Sequence, residues 1–256
     1  MKICVLASGS RGNSIYLECN GCAIIVDQGL AHRTFLARMA ERGLDPGLVR
    51  GILVSHEHGD HIGGVGVTSR SLGIPIYATA GSFSRMEGIL HGTEPLVTVE
   101  SGTPFSLGPF EIQPFAVPHD ALEPVQYAVC SGRKKVSIAT DIGFASTLVI
   151  ERIRESDLLV LESNYDQDML LKSSYTWQLK QRIMGKTGHL SNRNASELVF
   201  NLCNRTTRVI LAHLSEENNH PDIAERTFRE LFEKYERPID LLAVASQHTP
   251  TPVFEL

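Results

Sequence analysis

Along the first third of the chain, apolar residues come in short runs broken by Gly-rich turns. Lys2–Ala7, Ser14–Glu18 and Cys22–Val26 each have the length and composition of a strand. His32–Arg42 switches to helical spacing, and Gly51–Ser55 returns to a strand. Helices are then expected at Gly64–Leu72 and Ser82–His91, either side of a strand at Pro75–Ala78. The middle is strand-rich, at Leu96–Val99, Pro109–Ala116, Val125–Cys130 and Lys135–Ala139. Leu158–Leu161 and Arg208–Leu211 are continuous apolar runs, the pattern of a strand buried on both faces. Ala195–Cys203 and Asp222–Tyr235 have helical periodicity.

Strands followed by strands with interleaved helices fit two sheets packed together, with helices covering the outside. No Pro/Ser-rich linker or repeat divides the 256 residues, so a single domain spanning 1–256 is expected. Hydrophobic residues at 42% and charged residues at 21% set the disordered and low-complexity classes aside. The net charge of −5 gives no global basic field, although a local groove or bound cations can override that sign. The five cysteines (Cys4, Cys19, Cys22, Cys130, Cys203) are an odd, scattered set that does not read as a disulfide framework. Cys19 and Cys22 bracket Asn20-Gly21, a hairpin turn signal, so reduced thiols are the plain reading. The short apolar run after Met1 is too brief for a signal peptide, and no stretch approaches the roughly 20 apolar residues of a membrane span. A cytoplasmic location with no membrane partner is expected.

The sharpest feature is V-S-H-E-H-G-D-H-I-G-G, residues 54 to 64. In extended chain, residues two apart project to the same side, so His56 and His58 can converge on one cation. Gly59 then permits a turn that brings Asp60 and His61 to a second position. Imidazole with carboxylate suits zinc, manganese or iron, and not calcium. Three histidines within six positions, out of ten in the chain, is hard to attribute to a polar surface loop. His119, Asp141 and His213 each end another strand-like run, as the first cluster does.

With Asp27 in I-I-V-D-Q-G, the H-x-H-x-D-H cluster, and then His119, Asp141 and His213, the chain resembles the metallo-β-lactamase-fold superfamily over nearly its whole length. The resemblance implies an α/β fold: a four-layered αββα sandwich of two mixed sheets flanked by helices. It also implies a dinuclear centre of two divalent ions, zinc or manganese, with iron possible. His56, His58 and His119 would hold one ion and Asp60, His61 and His213 the other. Asp141 would bridge them, and Asp27 would orient the histidines. Antibiotic-hydrolysing members often have Cys where Asp141 stands, so the resemblance favours a phosphodiesterase-type centre.

A closer resemblance, to the YycJ/WalJ branch of DNA exonucleases, rests on S-G-S-R-G-N-S (Ser8–Ser14), L-E-S-N-Y-D (Leu161–Asp166), G-H-L-S-N (Gly188–Asn192) and A-H-L-S-E-E-N-N (Ala212–Asn219). Tyr165 departs from the branch, where His is common. The implied activity is hydrolysis of nucleic acid, DNA more than RNA, by a hydroxide that the metals share and Asp60 orients. Glu162 and His189 are placed like a pair in tRNA 3′-processing relatives, in which the His protonates the leaving group. The Ser8–Ser14 loop offers Ser10, Arg11, Asn13 and backbone N–H groups to a phosphate, or is simply a flexible turn. Trp177–His189, with Lys180, Arg182 and Lys186 near Tyr175 and Trp177, reads as a nucleic-acid track or as a solvated helix with a core Trp. Two alternatives stay open. One is a small-molecule hydrolase of the same fold, acting on a cyclic nucleotide, thioester or lactone. The other is a binding module that has lost its chemistry. Oligomeric state is left open.

Overall fold

The computed structural model describes residues 1–202 and 208–256. In chain order the elements are β1 (Lys2–Ala7), β2 (Ser14–Cys19), β3 (Cys22–Gln28), α1 (His32–Glu41), β4 (Val49–Leu53), α2 (Gly59–Ile62), α3 (Val65–Leu72), β5 (Ile76–Ala78) and α4 (Ala80–Phe83). There follow β6 (Leu96–Thr98), β7 (Phe105–Leu107), β8 (Phe110–Ala116), β9 (Val125–Ser131), β10 (Lys134–Ala139), α5 (Thr147–Ile153) and β11 (Leu158–Glu162). The last are α6 (Gln167–Lys172), α7 (Trp177–Ile183), α8 (Asn192–Leu202), β12 (Arg208–Ala212), α9 (Pro221–Lys234), β13 (Leu241–Val244) and β14 (Phe254–Glu255). Two mixed sheets of seven strands, flanked by helices, make up the α/β fold.

The backbone divides into two compact units. One comprises Met1–Ala116, Ala121–Lys134 and Ser246–Leu256; the other comprises Val117–Asp120 and Lys135–Ala245. In the first, β1, β2 and β3 form an antiparallel meander, and β4, β5 and β6 continue it in parallel. The tight turn of the β2–β3 hairpin is Asn20-Gly21, with φ of 49° and 71°. Both residues of a type I′ turn need this left-handed backbone, which Asn tolerates and Gly adopts without strain. Cys19 and Cys22 face each other across the hairpin as free thiols.

The second unit is built on parallel strands, with β10, β11, β12 and β13 paired in that order. All five residues of β11 are buried, as a parallel strand covered on both faces requires. The helix α9 begins with Pro221 after His220, and it buries Ala224, Phe228 and Phe232 four residues apart. Phe232 meets Phe200 of α8 edge to face, with ring centroids 5.7 Å apart.

Register decides where the polar residues emerge. Val26 pairs with Leu53 and Leu161 with Leu211, while Ala139 lies beside Leu161. Asp27, near the end of β3, therefore lies beside Ser55 and His56, which follow β4. Asp141, Glu162 and His213 sit at the same ends of β10, β11 and β12. Carboxyl ends of parallel strands are where open α/β sheets present their sites.

Four local expectations change. The helix expected at Ser82–His91 is only α4 plus turns, and within that span Gly88 takes a left-handed φ of 82° that a continuous helix does not contain. The strand expected at Gly51–Ser55 runs two residues earlier, since the Ser55 N–H donates to Asp27 rather than to a ladder. β7 is an added short strand. The helix expected at Ala195–Cys203 starts three residues earlier, at Asn192, and its last position, Cys203, lies outside the described residues. Among the described residues no helix is long and apolar enough to cross a membrane.

A buried ion pair in the first unit makes acid stability predictable. Arg70 of α3 donates to Glu94, which also accepts the N–H groups of His91 and Thr93 at 3.0 and 3.1 Å. Burial pushes the Glu94 carboxyl up, but these donors outweigh it and hold it at about 2, below the ordinary 4.5. A depressed carboxyl stabilises the fold above its unfolded pKa, and that contribution disappears as pH falls towards about 2. Urea midpoints measured from pH 5 downward should fall more gently in Glu94→Gln than in the parent. Parallel slopes would show that the pair carries no acid sensitivity.

Candidate metal centre

In the first unit the histidine cluster hangs from one buried carboxylate. Asp27, just past the run Ala23–Val26, takes a left-handed φ of 57° that turns its side chain towards the β4 end. Its Oδ1 accepts the Ser55 N–H at 2.7 Å, and its Oδ2 accepts the Ser55 hydroxyl at 2.8 Å. His61 Nδ1 lies 2.8 Å from the same Oδ2. Ser55 Oγ, having given its proton to Asp27, accepts from His56 Nδ1 at 2.9 Å. Asp27 thereby assigns tautomers to two imidazoles, one directly and one through Ser55, and leaves each Nε2 lone pair to face a ligand. His56 Nε2 comes within 3.0 Å of His58 Nδ1. Two nitrogens bound to one tetrahedral zinc at about 2.05 Å stand roughly 3.3 Å apart, so this pair is close to ligand spacing.

The turn expected at Gly59 is a single turn of helix, α2, and it delivers Asp60 and His61 together. Asp60 Oδ2 is 3.3 Å from His61 Nε2 and accepts from Asn13 Nδ2 at 3.0 Å. Asn13 is buried, and its own N–H donates to the Asp60 carbonyl at 2.8 Å. Gly29 is required here by contact: a Cβ on it would fall 1.7 Å from the Asp60 carbonyl oxygen. The expectation of exposed N–H groups in the Ser8–Ser14 loop is corrected. Those of Gly9, Arg11 and Gly12 donate to Asn13, Gln247 and Gly9 respectively. What the loop exposes is Ser10 and Arg11, whereas Asn13 is committed to Asp60 and His61.

In the second unit Glu162 plays the corresponding part. Its Oε1 lies 2.7 Å from His189 Nδ1 and 3.0 Å from His213 Nδ1, and its Oε2 accepts the N–H groups of Ile142 and Leu190 at 3.1 and 3.0 Å. The sequence reading paired Glu162 with His189 and missed its hold on His213. It also missed Ser55, which carries no signal beyond preceding His56. Asp141 Oδ1 is 3.3 Å from His213 Nδ1 and 3.9 Å from His119 Nε2. Asp141, Glu162, His189 and His213 offer ligand atoms that all lie within 4.8 Å of one another. Asp141 and His213 adopt φ of 54° and 55° directly after their strands. Left-handed backbone at non-Gly residues persists where the surroundings over-determine it, commonly at functional sites.

The electrostatics follow from burial and partners. Burial pushes the Glu162 carboxyl up, but the charges and hydrogen bonds of His189 and His213 hold it well below the usual range. For His189 burial alone lowers the pKa, yet Glu162 outweighs it and the imidazole is raised. Burial lowers His119, which favours the neutral imidazole a metal needs.

The branch motifs of the second unit meet in an asparagine network. Ser163 Oγ donates to Asn192 at 2.6 Å, Asn219 Nδ2 donates to the carbonyls of Ser163 and Asn164 at 2.8 and 3.1 Å, and Asn164 Nδ2 donates to the His213 carbonyl at 2.7 Å. These bonds tie the ends of β11 and β12 to the start of α8. Tyr165 is buried, and its carbonyl accepts from Asn192 N–H at 2.9 Å. Its link to the network is through main chain.

Imidazoles whose second nitrogen is held by carboxylate or hydroxyl, beside further carboxylates, are the donor chemistry of divalent-metal sites. The second unit's Asp141, Glu162, His189 and His213 fit such an ion, and the first unit offers His56 and His58 at ligand spacing.

Comparison with known proteins agrees with this chemistry. Residues 23–214 match the model of the β-lactamase superfamily domain. The chain is 37% identical to the exodeoxyribonuclease WalJ of Streptococcus pneumoniae, over 88% of this chain and 86% of that protein. It is 34% identical to the exodeoxyribonuclease YycJ of Bacillus anthracis, over 90% and 88%. Among solved structures, the metallo-β-lactamase-fold protein YhfI from Bacillus subtilis superposes with a TM-score of 0.74 at 14% identity, covering 98% of both chains. At that identity the likeness speaks for the fold alone.

Asp27→Asn should keep the fold but weaken metal binding by about 10–100-fold, because the amide replaces one of the two acceptor oxygens with an NH2 group that faces a donor. Competition against a chromophoric chelator measures this. An unchanged affinity would show that Asp27 does not set the imidazoles.

Proposed function

The chain belongs to the β-lactamase superfamily, in the branch of WalJ and YycJ, and from that membership we propose that it is a metal-dependent exodeoxyribonuclease. The carrying observation is the pair of relatives, both exodeoxyribonucleases, matched over nearly nine-tenths of the chain. The whole chain is proposed to act as one hydrolase domain that uses two divalent ions, zinc or manganese. His56, His58, Asp60, His61, His119, Asp141 and His213 would be the side chains that hold them. When bound, such ions supply an activated water near neutral pH and neutralise charge on the phosphoryl oxygens.

The protein's own groups carry the remaining work. Asp60, anchored by Asn13 at 3.0 Å, orients the attacking water. Arg11, exposed on the loop after β1, steadies a phosphate oxygen. The water oxygen bonds to phosphorus as the bond to the 3′ oxygen breaks. Since His189 Nδ1 is held by Glu162 at 2.7 Å, its Nε2 is the nitrogen that gives a proton to the departing oxygen. Glu162 supports that role by raising the His189 pKa through its charge and hydrogen bond. Bound DNA as substrate follows from the two relatives' activity. No observation favours a cyclic nucleotide, thioester or lactone over it.

Incubation with end-labelled DNA and manganese, beside a thioester and a cyclic nucleotide, tests the substrate class. Shortening of the DNA is expected, and turnover of a small ester alone would replace this reading with that of a small-molecule hydrolase. Asp60→Asn should lose most turnover, by roughly 100-fold or more, with an unaltered melting curve; parental activity in that variant sinks the mechanism. His189→Ala should slow DNA hydrolysis by about 100-fold or more while hurting an activated nitrophenyl phosphodiester far less. Equal losses on the two would remove His189 from the acid role.

A further inference from the structure

The segment between β11 and His189 holds a feature the mechanism leaves unused. Trp177 is the sole Trp of the chain, and it stands 59% exposed at the start of α7. The expectation of a core Trp is thus set aside. A bare indole on a short helix is costly to leave in water and is the side chain most often found anchoring contacts with partners.

Its mounting is rigid. Thr176 caps α7 by accepting the Leu179 N–H at 3.3 Å. Lys180 turns inward and donates to the carbonyls of Leu171 and Ser173 at 2.7 and 2.8 Å, which pins α7 to the end of α6. At the other end of α7 the Ile183 carbonyl accepts the His189 N–H at 2.9 Å. Arg182 meanwhile donates to Asp120, beside His119, at 2.7 Å. One short helix therefore runs from the exposed indole to the main chain of the proposed general acid. Six residues of helix span about 9 Å. That is about two to three stacked bases at roughly 3.4 Å each.

Charge points to the occupant. Residues 169–189 carry Lys172, Lys180, Arg182 and Lys186 with no Asp or Glu; Lys172 lies 3.9 Å from Asp168, Lys180 and Arg182 are engaged as above, and Lys186 is the cation left to meet a phosphate. Lys186 is exposed. A flat aromatic face within a locally basic segment is the combination that binds single strands: bases stack on the ring and phosphates meet the cations.

We propose that Trp177 is a stacking platform that holds a base of single-stranded DNA a few nucleotides from the scissile bond, with Lys186 meeting the adjoining phosphate. The proposal rests on the nuclease reading and names the binding track that reading lacks.

Because Trp177 is the single indole, its fluorescence reports the contact directly. Titration of the metal-chelated protein with unstructured oligothymidylate in EDTA should quench the emission saturably. Lys186→Ala should lower the salt dependence of that binding by about one unit of slope. In the manganese-loaded enzyme, Trp177→Ala should raise KM for the same oligonucleotide by about tenfold, with the loss falling on KM rather than kcat. Trp177→Phe should restore most of it, since a phenyl ring still offers a face. An emission that ignores saturating DNA, or a parental KM in Trp177→Ala, overturns the platform. So does a dimer, seen by size exclusion, that Trp177→Ala dissolves while KM stays parental, since the indole then serves a second copy of the chain. If the parent cleaves no DNA, the nuclease reading fails, and the quench in EDTA still decides the platform by itself.

Discussion

Each histidine cluster is organised around one buried carboxylate that accepts several hydrogen bonds at once. Removing a carboxylate from water costs several kcal/mol unless its lone pairs are met. Asp27 meets that requirement with the Ser55 amide, the Ser55 hydroxyl and His61. Glu162 meets it with His189, His213 and two main-chain amides. In both units the same bonds that satisfy the charge select which imidazole nitrogen is protonated. A group that the fold must satisfy in order to bury it thus presets the tautomers that metal ligation and proton transfer need.

These carboxylates sit where they do because parallel strands end in register. The ladder of β10, β11 and β12 puts Asp141, Glu162 and His213 at one edge, and the pairing of β3 with β4 puts Asp27 next to Ser55 and His56. The strands read as plain apolar runs because they are buried on both faces, so polar function is confined to the residues just beyond them. Asp27 near the end of β3, and Asp141 and His213 beyond β10 and β12, all take left-handed backbone. That conformation is disfavoured for non-Gly residues, and the hydrogen bonds and packing around it hold it in place.

The helical arm of the second unit follows the same economy. Lys180 is spent on carbonyls, Arg182 on Asp120, and the carbonyl of Ile183 on the amide of His189. With its polar groups so committed, α7 behaves as a strut between an exposed aromatic face and the proposed acid. The asparagines of the branch motifs are structural in the same sense, clamping the strand ends that carry Glu162 and His213.

Much of this was legible along the chain, for a physical reason. Burial patterns with period two, continuous apolar runs and the Asn20-Gly21 turn are local properties, so strands, the hairpin and the helices α1 and α9 could be placed from them. The clustering of His56, His58, Asp60 and His61 was equally plain, because donor side chains within six positions need no long-range information. The pairing of Glu162 with His189 was legible only by resemblance. The hold of Glu162 on His213, the relay through Ser55, the commitment of Asn13 to Asp60 and the exposure of Trp177 were not. Each depends on which strand ends share an edge and which face of a helix is covered. Strand register and helix packing, set by contacts among residues far apart in the chain, decided them.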